Sequence, residues 1–196
     1  MLSSPRSTLV VSLFVLSSFA ARAEGPALTA AAASLKTAQE HFAQCKNGKL
    51  QYEFEGALAR LESSRRQLEK GRREAESVRR SLESVRQRIE AAHQLKHSSS
   101  AEREAKEAQY QQSLAKEYLE PMKAVPPLME TYVAGINRYS AVMEKYAAFC
   151  GSSGITSASA RTFVGSLEAD IASLTTDSQT FVATARKAAA SDVAGR

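Results

Sequence analysis

The sequence predicts an all-α protein, and three observations predict it. Gly and Pro are scarce, at nine and five of 196 residues, while Ala, Ser, Leu, Glu and Arg are frequent. A seven-residue repeat of apolar positions begins at Leu61. No segment alternates polar and apolar side chains as a half-buried strand does. The expected architecture is a long antiparallel coiled-coil helical hairpin with N- and C-terminal helices packed at its base. A hydrophobic content of 43% with 24% charged residues excludes a wholly disordered chain and a polytopic membrane protein.

Residues 1–23 read as a cleavable signal peptide. Arg6 and the amino terminus supply positive charge, an apolar stretch runs from Leu9 to Ala20, and Ala21-Arg22-Ala23 has the small-x-small pattern of a cleavage site. The stretch falls short of the ~20 residues that a membrane-spanning helix needs. Cleavage would deliver the chain from Glu24 onward to the periplasm or the secreted space. Losing Arg6 and Arg22 reduces the net charge of +5 by two, an excess too small to imply a nucleic-acid partner.

Residues 24–48 should form an N-terminal helix behind Pro26, with Leu28, Ala31, Leu35, Ala38, Phe42 and Cys45 on one stripe. Asn47-Gly48 breaks it. The hairpin spans 49–150. Its outbound leg carries the heptads LESSRRQ, LEKGRRE, AESVRRS and LESVRQR. Leu61, Leu68, Ala75, Leu82 and Ile89 share one seam position, and Ser64, Gly71, Val78, Val85 and Ala92 share the other. The stripe extends back through Ala57, Phe54 and Leu50, and helix should continue to Lys96.

His97-Ser98-Ser99-Ser100 interrupts the repeat and sets a turn near 97–100, with Ser99 and Glu102 at capping-box spacing. The return leg keeps a seven-residue phase through Tyr118, Val125, Tyr132, Tyr139 and Tyr146, kinked by Pro121, Pro126 and Pro127. Folding the legs about Ser98 places Leu50 opposite Tyr146, Ala57 opposite Tyr139, Ser64 opposite Tyr132 and Gly71 opposite Val125. Large residues then meet small ones, as close packing requires. Residues 151–196 supply a Gly-Ser-Ser-Gly turn and a C-terminal helix. Phe163, Val164, Leu167, Ile171, Leu174, Phe181 and Val182 should cover the Tyr and Met face of the hairpin's lower half.

Cys45 and Cys150 fall within two positions of the same register, and an exported chain with two cysteines commonly pairs them. A Cys45–Cys150 disulfide should therefore clasp the hairpin base. Arg65, Arg72, Arg79 and Arg86 recur at one heptad position and form a candidate binding ridge for anionic polymer or membrane headgroups. Against that role, Glu62, Glu69 and Glu76 stand four before Arg66, Arg73 and Arg80, a spacing at which helical ion pairs cancel charge. Glu90, His93 and His97 share a face at ligand spacing, but His93 lacks the adjacent Glu of H-E-x-x-H. No metal or other cofactor is expected. The tyrosines could stack on bases or sugars, yet their place in an apolar stripe favours packing. No phosphate loop, nucleophile constellation or catalytic carboxylate pair is present, so an enzyme is not expected.

These features predict an exported, non-catalytic coiled-coil protein that acts as an interaction scaffold or adaptor in the cell envelope or extracellular space. It should have a protein partner, and self-association offers it further stability. Two alternatives are a binder of anionic polymer or membrane through the Arg ridge and a periplasmic holdase for unfolded clients. In size, leader, basic balance and coiled-coil character the chain is similar to the Skp/OmpH family of periplasmic chaperones. It shares no motif with them, and the strands of their trimerising body have no counterpart here.

Overall fold

A computed structural model describes residues 6–93 and 100–194, and the side chains of 25–93 and 104–190. Every regular element among the described residues is helical. In chain order these are α1 (Arg6–Gln44), α2 (Gly48–His93), α3 (Ser100–Ser113), a π-helical stretch Leu114–Leu119, α4 (Glu120–Met122), α5 (Val125–Cys150) and α6 (Ser157–Ala194). The expected turn near 97–100 lies largely outside the described residues. The helix preceding it is described as far as His93, and its expected continuation to Lys96 lies outside the described residues.

Local chemistry sets the boundaries. The Asn47 side chain accepts a hydrogen bond from the Leu50 amide at 3.1 Å, capping α2 at the break the sequence signalled. Thr156 and Ser159 cap α6 reciprocally, each side-chain oxygen accepting from the other's amide at 3.0–3.1 Å. Gly154 adopts φ 72° in the turn before it, a conformation that favours glycine. The return leg is not one kinked helix. Pro121 has no amide hydrogen to donate, and the π-helical stretch just before it widens the turn. Pro126 and Pro127 open α5, where missing donors cost nothing. Pro26, expected ahead of the first helix, lies inside α1.

The heptad seam of α2 is buried as expected, from Leu50 through Val85. Its partner differs from the expected one. Ser64 Oγ lies 3.1 Å from Thr175 Oγ1, and a Cβ on Gly71 would stand 2.3 Å from the Phe181 ring. Both contacts are with α6, which runs parallel to α2. At the Gly71–Phe181 offset the buried seams match layer by layer. That offset aligns buried Ala57 with Leu167, Ser64 with Leu174 and Leu68 with Ser178, as it does Gly71 with Phe181. The bulk-against-vacancy rule holds, but between parallel helices. Helix α6 therefore accompanies α2 along most of its length and is not confined to the hairpin's lower half.

Helix α5 packs antiparallel to α2 on another flank. Tyr139 reaches Glu62 instead of Ala57, and Tyr132 reaches Glu69 instead of Ser64, a shift of about one helical turn from the expected register. Leu68 fills the space over Gly135. Helix α1 lies against α5 and runs parallel to it. His41 pairs with Glu144, and the Phe42 ring packs tilted against Tyr146 with centroids 4.7 Å apart. Its buried residues, Ala31, Ala38 and Cys45, stand seven apart, small enough for the backbones to approach closely.

Cys45 and Cys150 form the expected disulfide, with Cα atoms 5.8 Å apart. The Tyr146 hydroxyl points at Cys45 Sγ from 3.6 Å. In urea unfolding, replacing both cysteines with serine should cost about 4–5 kcal/mol on the chain-entropy account of a long closed loop. An unchanged midpoint would show that the bridge adds nothing. Gly71→Ala should cost about 1–3 kcal/mol by forcing Phe181 aside, and pairing it with Phe181→Leu should recover part of that loss. Gly56→Ala, with nothing within 4 Å, should stabilise by up to ~1 kcal/mol.

Candidate functional site

The candidate ridge stands on the α2 flank that faces α5. Glu62, Glu69, Glu76, Glu83 and Glu90 repeat every seven residues, and each Arg of the ridge follows a Glu by three. On a helix that spacing puts carboxylate and guanidinium side by side. Glu62 accepts from Arg65 Nε at 3.0 Å, Glu69 from Arg72 Nε at 3.1 Å and Glu83 from Arg86 Nε at 2.9 Å. The other oxygen of each carboxylate accepts a tyrosine hydroxyl from across the hairpin. Tyr139 donates to Glu62, Tyr132 to Glu69 at 2.6 Å and Tyr118 to Glu83 at 2.9 Å. Arg72 and Arg86 also lie over the Tyr132 and Tyr118 rings, 5.7 and 5.9 Å from their centroids.

The result is a ladder of Glu–Arg–Tyr rungs with one rung incomplete. Where a tyrosine should meet Glu76, the chain has Val125 at the proline break. Glu76 turns to Arg72 at 2.5 Å, and Arg79 is exposed and makes no ion pair among the described residues. Three of the four ridge arginines are thus engaged by the protein's own carboxylates, with side chains only 31–32% exposed. Burial by itself disfavours their charge, but the glutamates more than offset it and hold all three above the ordinary arginine value. The ion pairs expected at i,i+4 from Glu62 to Arg66 and from Glu69 to Arg73 do not form, because those carboxylates turn inward.

The tyrosines are neither a stacking platform nor inert filler. Tyr132, Tyr139 and Tyr146 are buried, and the Tyr118 and Tyr132 hydroxyls bind the ladder together with that of Tyr139. Burial, then the hydrogen-bonded glutamate, raises all three phenols, with Tyr118 pushed up to about 12. The sequence placed these rings in the apolar stripe but did not reveal their donor role. A shared seven-residue period of Glu on α2 and Tyr on the return leg was the available signal.

The weak metal candidates separate. Glu90 faces Arg86 at 3.4 Å, His93 pairs with Glu107 at 3.1 Å and stacks on Tyr110, and His97 lies outside the described residues. Among the described residues no group of three His, Cys, Asp or Glu side chains is arranged to hold a metal ion. Two clefts among the described residues bear on function. One, of about 460 Å³, opens beside the disulfide between His41, Lys46 and Glu144. The other, of about 330 Å³, lies between α2, α5 and α6 and is lined by Leu68, Leu128, Leu174 and Phe181. No described helix is long and apolar enough to cross a membrane. No family model, curated protein or solved structure matches this chain.

The ladder predicts an alkaline signature. A phenol whose folded pKa is raised binds its proton more tightly in the folded state, so its stabilisation is complete below about pH 10, the unfolded value. It is lost as pH rises through the folded value, about 12 for Tyr118. Urea midpoints should therefore fall across that window. The Tyr118→Phe/Tyr132→Phe/Tyr139→Phe variant should be less stable at neutral pH and show a shallower alkaline fall. Parallel curves would remove the tyrosines from the account.

Proposed function

We propose that the chain is an exported, non-catalytic helical scaffold that docks a protein partner on the distal arm of its hairpin. One observation carries this reading. At the seam offset α6 ends alongside about residue 84 of α2, and past Val85 and Leu114 no described residue of the arm is buried. Its described residues are the last turns of α2 and the whole of α3. Its described cross-links include the His93–Glu107 pair and the His93–Tyr110 stack. It contributes little to a core, and its surface is polar. An extension that adds no core to its own fold suits contact with another molecule.

The leader at 1–23 and the disulfide support an oxidising compartment outside the cytosol, the periplasm or the secreted space. The side chains of the leader lie outside the described residues. The folded body would act as a rigid mount, because α2 is continuous from the base into the arm.

Replacing residues 87–112 with a short Gly-rich turn tests the reading on the mature chain. The shortened protein should keep its thermal transition within a few degrees, because none of the described residues removed is buried. Chemical crosslinking followed by pull-down should lose the partner that the full chain captures. Retention of the same crosslinked partner would place docking elsewhere. Suppression of client aggregation by a trimer on gel filtration would replace the scaffold with a holdase.

A further inference from the structure

The outermost face of α2 carries cations that the ladder leaves unanswered. Two adjacent heptad positions form it. One holds Tyr52, Ala59, Arg66, Arg73 and Arg80, and the other holds Lys49, Gly56, Ser63, Lys70, Ser77 and Ser84, all of them exposed. Neither position contains an acid. Most α2 acids are committed elsewhere: Glu62, Glu69 and Glu83 to the ladder, Glu76 to Arg72, Glu90 to Arg86, Glu53 to Arg161 and Glu74 to Arg186. The exposed Glu55 shares the heptad position of the ladder glutamates and lies outside the two cationic positions. Among the described residues Lys49, Arg66, Lys70 and Arg73 form no ion pair. Arg80 donates only to the Glu76 carbonyl oxygen, at 3.4 Å.

The charge that the ridge was expected to display therefore sits one position further round the helix. From Arg66 to Arg80 it spans about 21 Å at ~1.5 Å per residue. From Gly56 to Ser84 these positions hold only Gly, Ala and Ser besides the cations, so no bulky side chain holds the guanidinium and ammonium groups of Arg66, Lys70, Arg73 and Arg80 off a flat surface. On the same line sits Tyr52, 76% exposed and the one large hydrophobic residue exposed among the described side chains. A phenol ring with a wet hydroxyl suits the boundary between headgroups and acyl chains.

We infer that this face of α2 is a peripheral docking surface for an anionic lipid bilayer. A straight row of cations on a rigid helix matches a planar array of negative headgroups, each cation adding to the attraction and all of them screened by salt. The exposed ring at the end of the row favours a bilayer over a soluble polyanion, which offers no apolar layer to receive it. The inference is independent of the arm, since the row ends at Arg80 and the arm begins beyond Val85.

Vesicle co-sedimentation of the mature protein tests it. Binding is expected to phosphatidylglycerol-containing vesicles and not to pure phosphatidylcholine, and it should fade as salt rises from about 50 to about 300 mM. Arg66→Gln/Lys70→Gln/Arg73→Gln/Arg80→Gln should weaken binding about tenfold or more. A variant with Lys36, Lys116, Lys123 and Lys145 replaced by Gln removes equal charge from other faces and should lose far less. The chain has no Trp, so Tyr52→Trp makes a sole reporter whose emission should shift to the blue on anionic vesicles. Equal losses in the two charge variants, no binding at low salt, or no emission shift would each overturn the inference. Capture of heparin or polyglutamate without vesicle binding would reassign the face to a soluble polyanion.

Discussion

One helix has to satisfy three neighbours, and the rest of the fold follows from how α2 divides its circumference. Its a/d seam goes chiefly to α6, with Leu68 also meeting Gly135 of α5, its glutamate and arginine flank goes to α5, and its remaining face to solvent. The seam depends on absence as much as on bulk. Gly71 leaves room for the Phe181 ring, Ser64 lies where Leu174 needs space, and Gly135 on α5 gives room to Leu68. Wherever two of these helices approach closely, one of them carries a residue with little or no side chain. That closeness brings the tyrosine hydroxyls within reach of the carboxylates.

Much of this was legible before any coordinates. The heptads from Leu61 mark a buried stripe, and the stripe is buried as far as Val85, short of the expected Ile89 and Ala92. Periodicity reports that a face is covered and is silent about which helix covers it. Ser64, Gly71 and Ala75 call for large residues opposite, and the tyrosines of the return leg and the leucines of α6 both satisfy that demand. The deciding signal was continuity. From Ala160 to Ala185 the steps of three and four run unbroken, whereas the return leg is cut by three prolines. The disulfide came out right for a reason only partly foreseen. Cys45 approaches Cys150 on a helix parallel to α5, and the hairpin register that had suggested the pairing is itself displaced by about one turn.

The candidate site shows the same division. Which residue types line the α2 flank was readable, but the direction in which each carboxylate turns was not. Glu62 has Arg65 three residues ahead and Arg66 four ahead, and isolated-helix rules support either pair. The choice falls to Tyr139, whose hydroxyl donates to Glu62 from the α5 side and draws that carboxylate inward with Arg65. A tertiary donor thereby decides a local competition. It makes a conspicuous row of arginines internally balanced and leaves the less conspicuous row beside it charged.

The bridge between Cys45 and Cys150 also divides the chain covalently, quite apart from what it adds to equilibrium stability. Everything from α2 through α5 lies within a closed covalent ring, while α1 and α6 attach at its junction as two tails. Tension applied between the amino and carboxyl ends would cross the sulfur–sulfur bond and bypass the ring. Under load the tails would peel away first, and the hairpin would stretch no further until the bond was chemically cut. For a polypeptide spanning two anchored bodies, that makes mechanical compliance a property of α1 and α6 alone, governed by the redox state of a single linkage.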